Sequence, residues 1–215
     1  MFSRDRWTAA IPCKPAPETA SPIRAVIAST VAAGMLAFSS VSHAGFLVLG
    51  ILVLNEISIS AVLFYLVVYS FTNLGAFAIV SAAEKEEKGL NFEDYRGLSG
   101  QHPWLSAAMT VFMLSLAGFP PTAGFIAKYG LFSAAVSEGY IWLVFIGVIN
   151  TLISIYYYLR LVVNMYMRRE EDSLIPSYNM LGIGLIGLMA IMMVIFGISP
   201  SYFLEIAAQA ASTSS

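Results

Sequence analysis

Charge is what this sequence has least of. Of its 215 residues only 11% are Asp, Glu, Lys or Arg, while 58% are hydrophobic. Soluble domains carry about 25% charged and about 45–50% apolar residues. The deficit, with a mean hydropathy of +0.77, excludes a water-soluble domain of this size. Cysteine is nearly absent too. Cys13 stands alone, which excludes an internal disulfide and a cysteine metal centre. Two histidines, His43 and His102, are too few for a histidine metal site. Glycine-rich phosphate loops, CxxCH haem motifs and iron–sulfur spacings are missing, so no redox cofactor is expected in this chain. A net charge of −2 and a pI near 5.6 give no basic surface for nucleic acid.

What is present is long apolar runs. Stretches of about 18 or more such residues read as membrane-spanning helices. The expectation is an all-α, polytopic transmembrane helical bundle of about five spans, one of them discontinuous. Residues 1–22 are polar and proline-rich and read as an N-terminal extension, without the apolar region of a signal peptide. The transmembrane part is expected over 23–210, with spans near 23–54, 61–82, 104–137, 140–167 and 180–199, and 211–215 as a tail. "NEISIS" is read as a turn after the first span. "EKEEKGLNFEDYRGLSGQHP" is the one long polar loop, its Glu/Lys run able to extend the second helix through i,i+4 pairs.

Whether 104–137 crosses once or twice follows from the placement of basic residues. With one crossing, Arg4, Arg6, Lys14, Arg24, Lys85, Lys88, Arg96, Arg168 and Arg169 all lie on one side. The opposite segments, 55–60, 138–140 and the C-terminal tail, contain no Lys or Arg. Two crossings would put Arg168 and Arg169 outside. One crossing is therefore expected, with the N-terminus cytoplasmic and the C-terminus outside.

A single straight helix of about 34 residues would be about 50 Å long, against a hydrocarbon core of about 30 Å. The segment "SLAGFPPTAGFIAKYG" (115–130) resolves the mismatch. Pro120 and Pro121 remove two backbone donors and disfavour helix before them, and Gly118 and Gly124 flank them. Two half-helices joined by an unwound "GFPPTAG" are expected. Broken backbone at membrane depth is tolerated only where protein or water covers it, so the break implies a polar interior.

Lys128 follows that break at mid-membrane depth, where a charge costs about 2.5–3.5 kcal/mol or more. It is the first candidate for a proton relay; the alternative is a lysine that snorkels to the headgroups. His43, in "FSSVSHAGF", is the second, histidine being a natural proton shuttle. Ser42, with Ser39 and Ser40, adds hydroxyls beside it; the alternative is a histidine that only packs helices. In "SIYYYLR" (154–160) three tyrosines suit an interfacial belt, and Tyr157 is the one read as able to point inward. Arg160 is read as snorkelling. Tyr69, Thr72, Asn73 and Gly75 read as helix–helix contacts. Glu56, Glu138, Glu205 and His102 are read as solvated or interfacial.

Taken together, "MLAFSSVSHAGFLVLG" (35–50), "NLGAFAIVS" (73–81), "DYRGL" (94–98), "SLAGFPPTAGFIAKY" (115–129) and "YYYLRL" (156–161) resemble the C-terminal part of an antiporter-like membrane subunit of respiratory complex I. The subunit N / subunit 2 branch resembles it most, and Mrp sodium/proton antiporters share the fold. The resemblance covers about 35–210. It implies that Lys128 matches the lysine of the broken helix in the second inverted repeat, and His43 a histidine of the central hydrated axis. It implies a bacterial inner-membrane location and other complex I membrane subunits as partners. NADH, FMN, iron–sulfur clusters and quinone would belong to partner subunits alone. By the same resemblance the first repeat and the first helix of the second are missing, so a truncated chain is expected. Ala33 and Gly34 stand where the family usually has a basic pair. The alternatives are an Mrp-type cation/proton antiporter subunit and a non-catalytic scaffold fragment.

Overall fold

The computed structural model describes residues 31–83, 95–167, 180–201 and 206. The N-terminal extension, the start of the first expected span, most of the long polar loop, residues 168–179 and most of the tail lie outside these. The described residues form an all-α bundle without strands: α1 (Val31–Val53), α2 (Glu56–Ala83), α3 (Leu98–Gln101), α4 (Pro103–Ala117), α5 (Ala123–Ser137), α6 (Ile141–Met167) and α7 (Met180–Ile198).

By length and composition α1, α2, α6 and α7 can each cross a membrane. They are apolar around most of their circumference, as membrane-spanning helices are. Large side chains point outward, Trp142 at 79% exposure among them. α2 is the central element and packs on α1, α4, α5 and α7.

The first turn is shorter than expected. The polarity of "NEISIS" predicts a turn, yet α2 already begins at Glu56. Asn55 makes this possible. Its Oδ1 accepts the backbone N–H of Ser58 at 2.7 Å, a side-chain N-cap that satisfies a donor the helix leaves free. The Ser58 hydroxyl donates in turn to the Gly50 carbonyl. Sequence polarity suggested a loop, but those polar groups are consumed in starting the helix.

The α4–α5 pair runs the length of the bundle once. At one end, the Ser99 hydroxyl just before α4 donates to the Met165 carbonyl near the end of α6 (2.9 Å). At the other, Asn55 Nδ2 donates to Glu138 Oε1 just after α5 (3.0 Å). The α1–α2 turn and the end of α5 therefore share one end of the bundle. Each half-helix has 15 residues, about 22 Å at helical rise; only together do they exceed the hydrocarbon core.

The break occupies residues 118–122. Gly118 adopts the left-handed conformation (φ 76°), which only glycine enters without strain. The Phe119 N–H reaches the Leu114 carbonyl at 2.9 Å and the Gly118 N–H reaches the Ser115 carbonyl at 3.0 Å. This is the paired closure by which many helices end. The Pro120–Pro121 bond is cis, and Thr122 opens α5, its hydroxyl donating to the Phe119 carbonyl at 2.7 Å. Two glycines let neighbouring backbones approach. A Cβ on Gly124 would overlap the Ser115 carbonyl, and one on Gly197 of α7 would overlap the Pro121 carbonyl.

Two outcomes are expected from this packing. Asn55→Ala, losing a cap and a link between turns, should destabilise the bundle by about 1–2 kcal/mol, read by reversible unfolding in detergent. Gly124→Ala should cost about 1–3 kcal/mol by overpacking in the same assay, whereas Gly45→Ala, where nothing lies near the added methyl, should be nearly neutral.

Candidate functional site

The break leaves backbone carbonyls to satisfy. The closure at Gly118 takes those of Leu114 and Ser115. Those of Leu116 and Ala117 remain, and Lys128 takes them. Its Nζ lies 2.9 Å from Leu116 O and 3.5 Å from Ala117 O. A cation here also sits at the negative end of α4, where helix dipoles favour it. The side chain is 4% exposed and passes over Gly118, whose missing side chain leaves it room. Lys128 is thus folded back into the protein and does not snorkel to a headgroup.

His43 on α1 is equally buried. Its Nδ1 is 2.5 Å from the Tyr65 hydroxyl and its Nε2 is 3.5 Å from the Tyr158 hydroxyl. Its ring stacks on Tyr69 with centroids 4.7 Å apart. Three helices, α1, α2 and α6, therefore meet at one imidazole.

His43 and Lys128 line the same small cavity, together with Tyr65, Tyr69, Thr72, Ser115 and Gly124. Its volume is about 10 Å³, room for about one water. Thr72 and Ser115 bring their hydroxyl oxygens within 3.4 Å of each other. Ser115 also accepts the Gly124 N–H at 3.3 Å, so the first half-helix caps the second. Thr72 donates to the Val68 carbonyl at 2.7 Å and contacts Met193 Sδ of α7 at 3.0 Å. Chemically, the cluster holds one amine, one imidazole and several hydroxyls around a water-sized space. Each can donate and accept a proton. Among the described residues no three of His, Cys, Asp and Glu come together as a metal site would need.

The structure separates some residues that the sequence grouped. Ser42 faces away from the cavity, donating to Asn150 Oδ1 of α6 at 3.4 Å. Ser39 is the buried serine of the cluster and bonds the Leu36 carbonyl at 2.7 Å. Tyr157 is half-buried and donates to Ser154 at 3.0 Å; its neighbour Tyr158 is the one at His43. Pro120 and Pro121 shape the break without lining the cavity, while Gly118 and Gly124 touch its residues. Tyr65, Tyr158 and Ser115 were missed. For Tyr65 a signal existed: it lies one helical turn before Tyr69, and positions 65, 69 and 72 share a face at helical spacing. Nothing in the sequence pairs Tyr158 with His43, 115 residues away.

The profile of the family described as "NADH:quinone oxidoreductase/Mrp antiporter, TM" matches residues 25–154. The chain is 47% identical over 179 residues to NADH-quinone oxidoreductase subunit N of Trichlorobacter lovleyi, covering 82% of this chain and 37% of that protein. It is 44% identical over 184 residues to subunit N 1 of Herpetosiphon aurantiacus, covering 84% and 38%. In structure it resembles a chain of respiratory complex I from Thermus thermophilus with bound aureothin. The TM-score there is 0.71 at 27% identity, covering 88% of this chain and 45% of that one. A chain of the Mrp complex from Dietzia sp. shares the fold at TM-score 0.73 and 20% identity, covering 87% and 45%. The chain spans under two-fifths of the length of those two curated relatives. With more than half of its residues inside the family profile, this chain belongs to the membrane-spanning family of NADH:quinone oxidoreductases and Mrp antiporters.

Proposed function

We propose that this chain is a membrane subunit of a proton-translocating NADH–quinone oxidoreductase, relaying protons through Lys128. The observation that carries the reading is Lys128 buried across one water-sized cavity from His43. The Lys128 amine takes a proton from a carrier in the cavity, and the resulting ammonium releases it toward the outlet side, which restores the amine. His43, held by Tyr65 and reached by Tyr158, passes protons along the membrane plane. Thr72 and Ser115 orient the intervening hydroxyl path. Gly118, Pro120, Pro121 and Gly124 keep the break open to the lysine.

In this reading the chain itself holds no redox group. NADH, FMN, iron–sulfur clusters and quinone reside in partner subunits, whose electron transfer drives the relay. The partners are other membrane subunits of the complex, in a bacterial inner membrane. The N-terminus faces the cytoplasm and the C-terminus the outside. The one-sided Lys and Arg distribution supports that orientation, as does the Asn55–Glu138 bond that joins two turns free of basic residues. The relatives bearing the subunit N name support an oxidoreductase over a stand-alone antiporter.

The test pairs two variants in the assembled, reconstituted complex. Lys128→Ala should lower coupled proton translocation by about tenfold or more. Lys128→Arg keeps a cation for the α4 carbonyls but does not release its proton, and should lose translocation while the chain still inserts and co-purifies. Undiminished pumping in either variant would overturn the relay, and sodium-dependent proton flux without NADH would favour an antiporter.

A further inference from the structure

We propose that Phe46 is a positioning residue for Lys128. Its ring face holds the ammonium against the C-terminal carbonyls of α4, and so sets how readily the free amine is released. The functional meaning rests on the proposed relay; the contact itself does not.

Phe46 lies three residues after His43 on α1, on the same face, and is 3% exposed. Lys128 Nζ is 5.0 Å from the centre of its ring, inside the reach of about 6 Å for a cation over an aromatic face. The ring is held from several sides. Its centroid lies 6.1 Å from His43, 6.3 Å from Tyr65 and 5.8 Å from Phe132. Phe132 is itself four residues beyond Lys128 on α5 and so couples the ring to the helix that carries the lysine. On its other side Phe46 lines an apolar groove between α1 and α6, with Leu49, Ile146 and Gly147. The ring is therefore part of the wall between that groove and the lysine.

The charge balance around Lys128 makes the ring matter. The titratable groups on the packed elements are His43 on α1, Tyr65 and Tyr69 on α2, and Tyr158 on α6, reached through His43. Among the residues whose side chains are described, the only carboxylate is Glu138, at the end of the bundle beside the α1–α2 turn. The ammonium is thus held by neutral partners, two carbonyls and one ring. Aromatic attraction acts on the charged form alone. An aliphatic side chain of equal volume would fill the space and supply none of it.

Stepwise fluorination separates these roles, since it drains the ring's negative face with little change in size. Mono-, di- and trifluorinated phenylalanine would replace Phe46 in the full chain in lipid vesicles. Acetylation of Lys128 by acetic anhydride at fixed pH would then be followed by mass spectrometry, because only the free amine reacts. The rate should rise with each fluorine, by about twofold to thirtyfold in total across the range of cation–π strengths. Phe46→Tyr should restore the original rate. The same series at Phe64, which faces Phe196 of α7, should leave the rate unchanged. Equal rates throughout the Phe46 series would overturn the proposal and reduce the ring to packing. The assay needs no proton pumping. A graded series beside undiminished pumping in Lys128→Arg would support the contact and overturn the relay.

Discussion

The ammonium of Lys128 on the carbonyls of Leu116 and Ala117 is the contact on which the rest depends. A helix that stops inside a membrane leaves carbonyls with no water to turn to. The closure at Gly118 satisfies two, and the lysine from the following half-helix satisfies two more. That solution works only if the half-helices lie almost against each other. Hence the absent side chain at Gly124, and the Ser115 hydroxyl that receives the Gly124 N–H. Gly197 extends the same requirement to α7, which presses directly on the break.

The lysine therefore has a structural role and, in the proposed relay, a chemical one, and the two are linked. An ammonium both carries the proton and holds the end of α4. A neutral amine that turned toward the cavity would uncover two carbonyls at membrane depth. In that relay, protonation and the geometry of the broken helix would be coupled through one side chain. The imidazole across the cavity is differently placed. His43 is gripped by hydroxyls from two other helices, so its orientation depends on how α1, α2 and α6 pack together.

Local rules carried much of the architecture. The apolar runs marked α1, α2, α6 and α7, and the double proline marked the break. The scarcity of basic residues around 55–60 and 138–140 implied that the broken segment crosses once, in keeping with the hydrogen bond between Asn55 and Glu138. Local rules failed where a polar residue has two uses. Asn55 looked like loop because it is hydrophilic, yet it starts a helix. Ser42 looked like a companion of His43 because it is adjacent, yet adjacent helical residues point about 100° apart, and it bonds α6 instead.

From sequence alone came the membrane environment, the discontinuous helix, and Lys128 and His43 as the residues out of place in hydrocarbon. Those follow from composition and from the backbone chemistry of proline and glycine, which are properties of short stretches. Tertiary structure alone decided what those two residues touch. The carbonyls that hold Lys128 lie 11 and 12 positions before it, and the tyrosine hydroxyls that reach the His43 ring nitrogens lie 22 and 115 positions after it. Such partners depend on how helices rotate about their own axes when packed. In a chain apolar on nearly every face, hydrophobic periodicity does not encode that rotation. Close backbone contacts at a few glycines and the demand that every buried polar group find a partner set it instead.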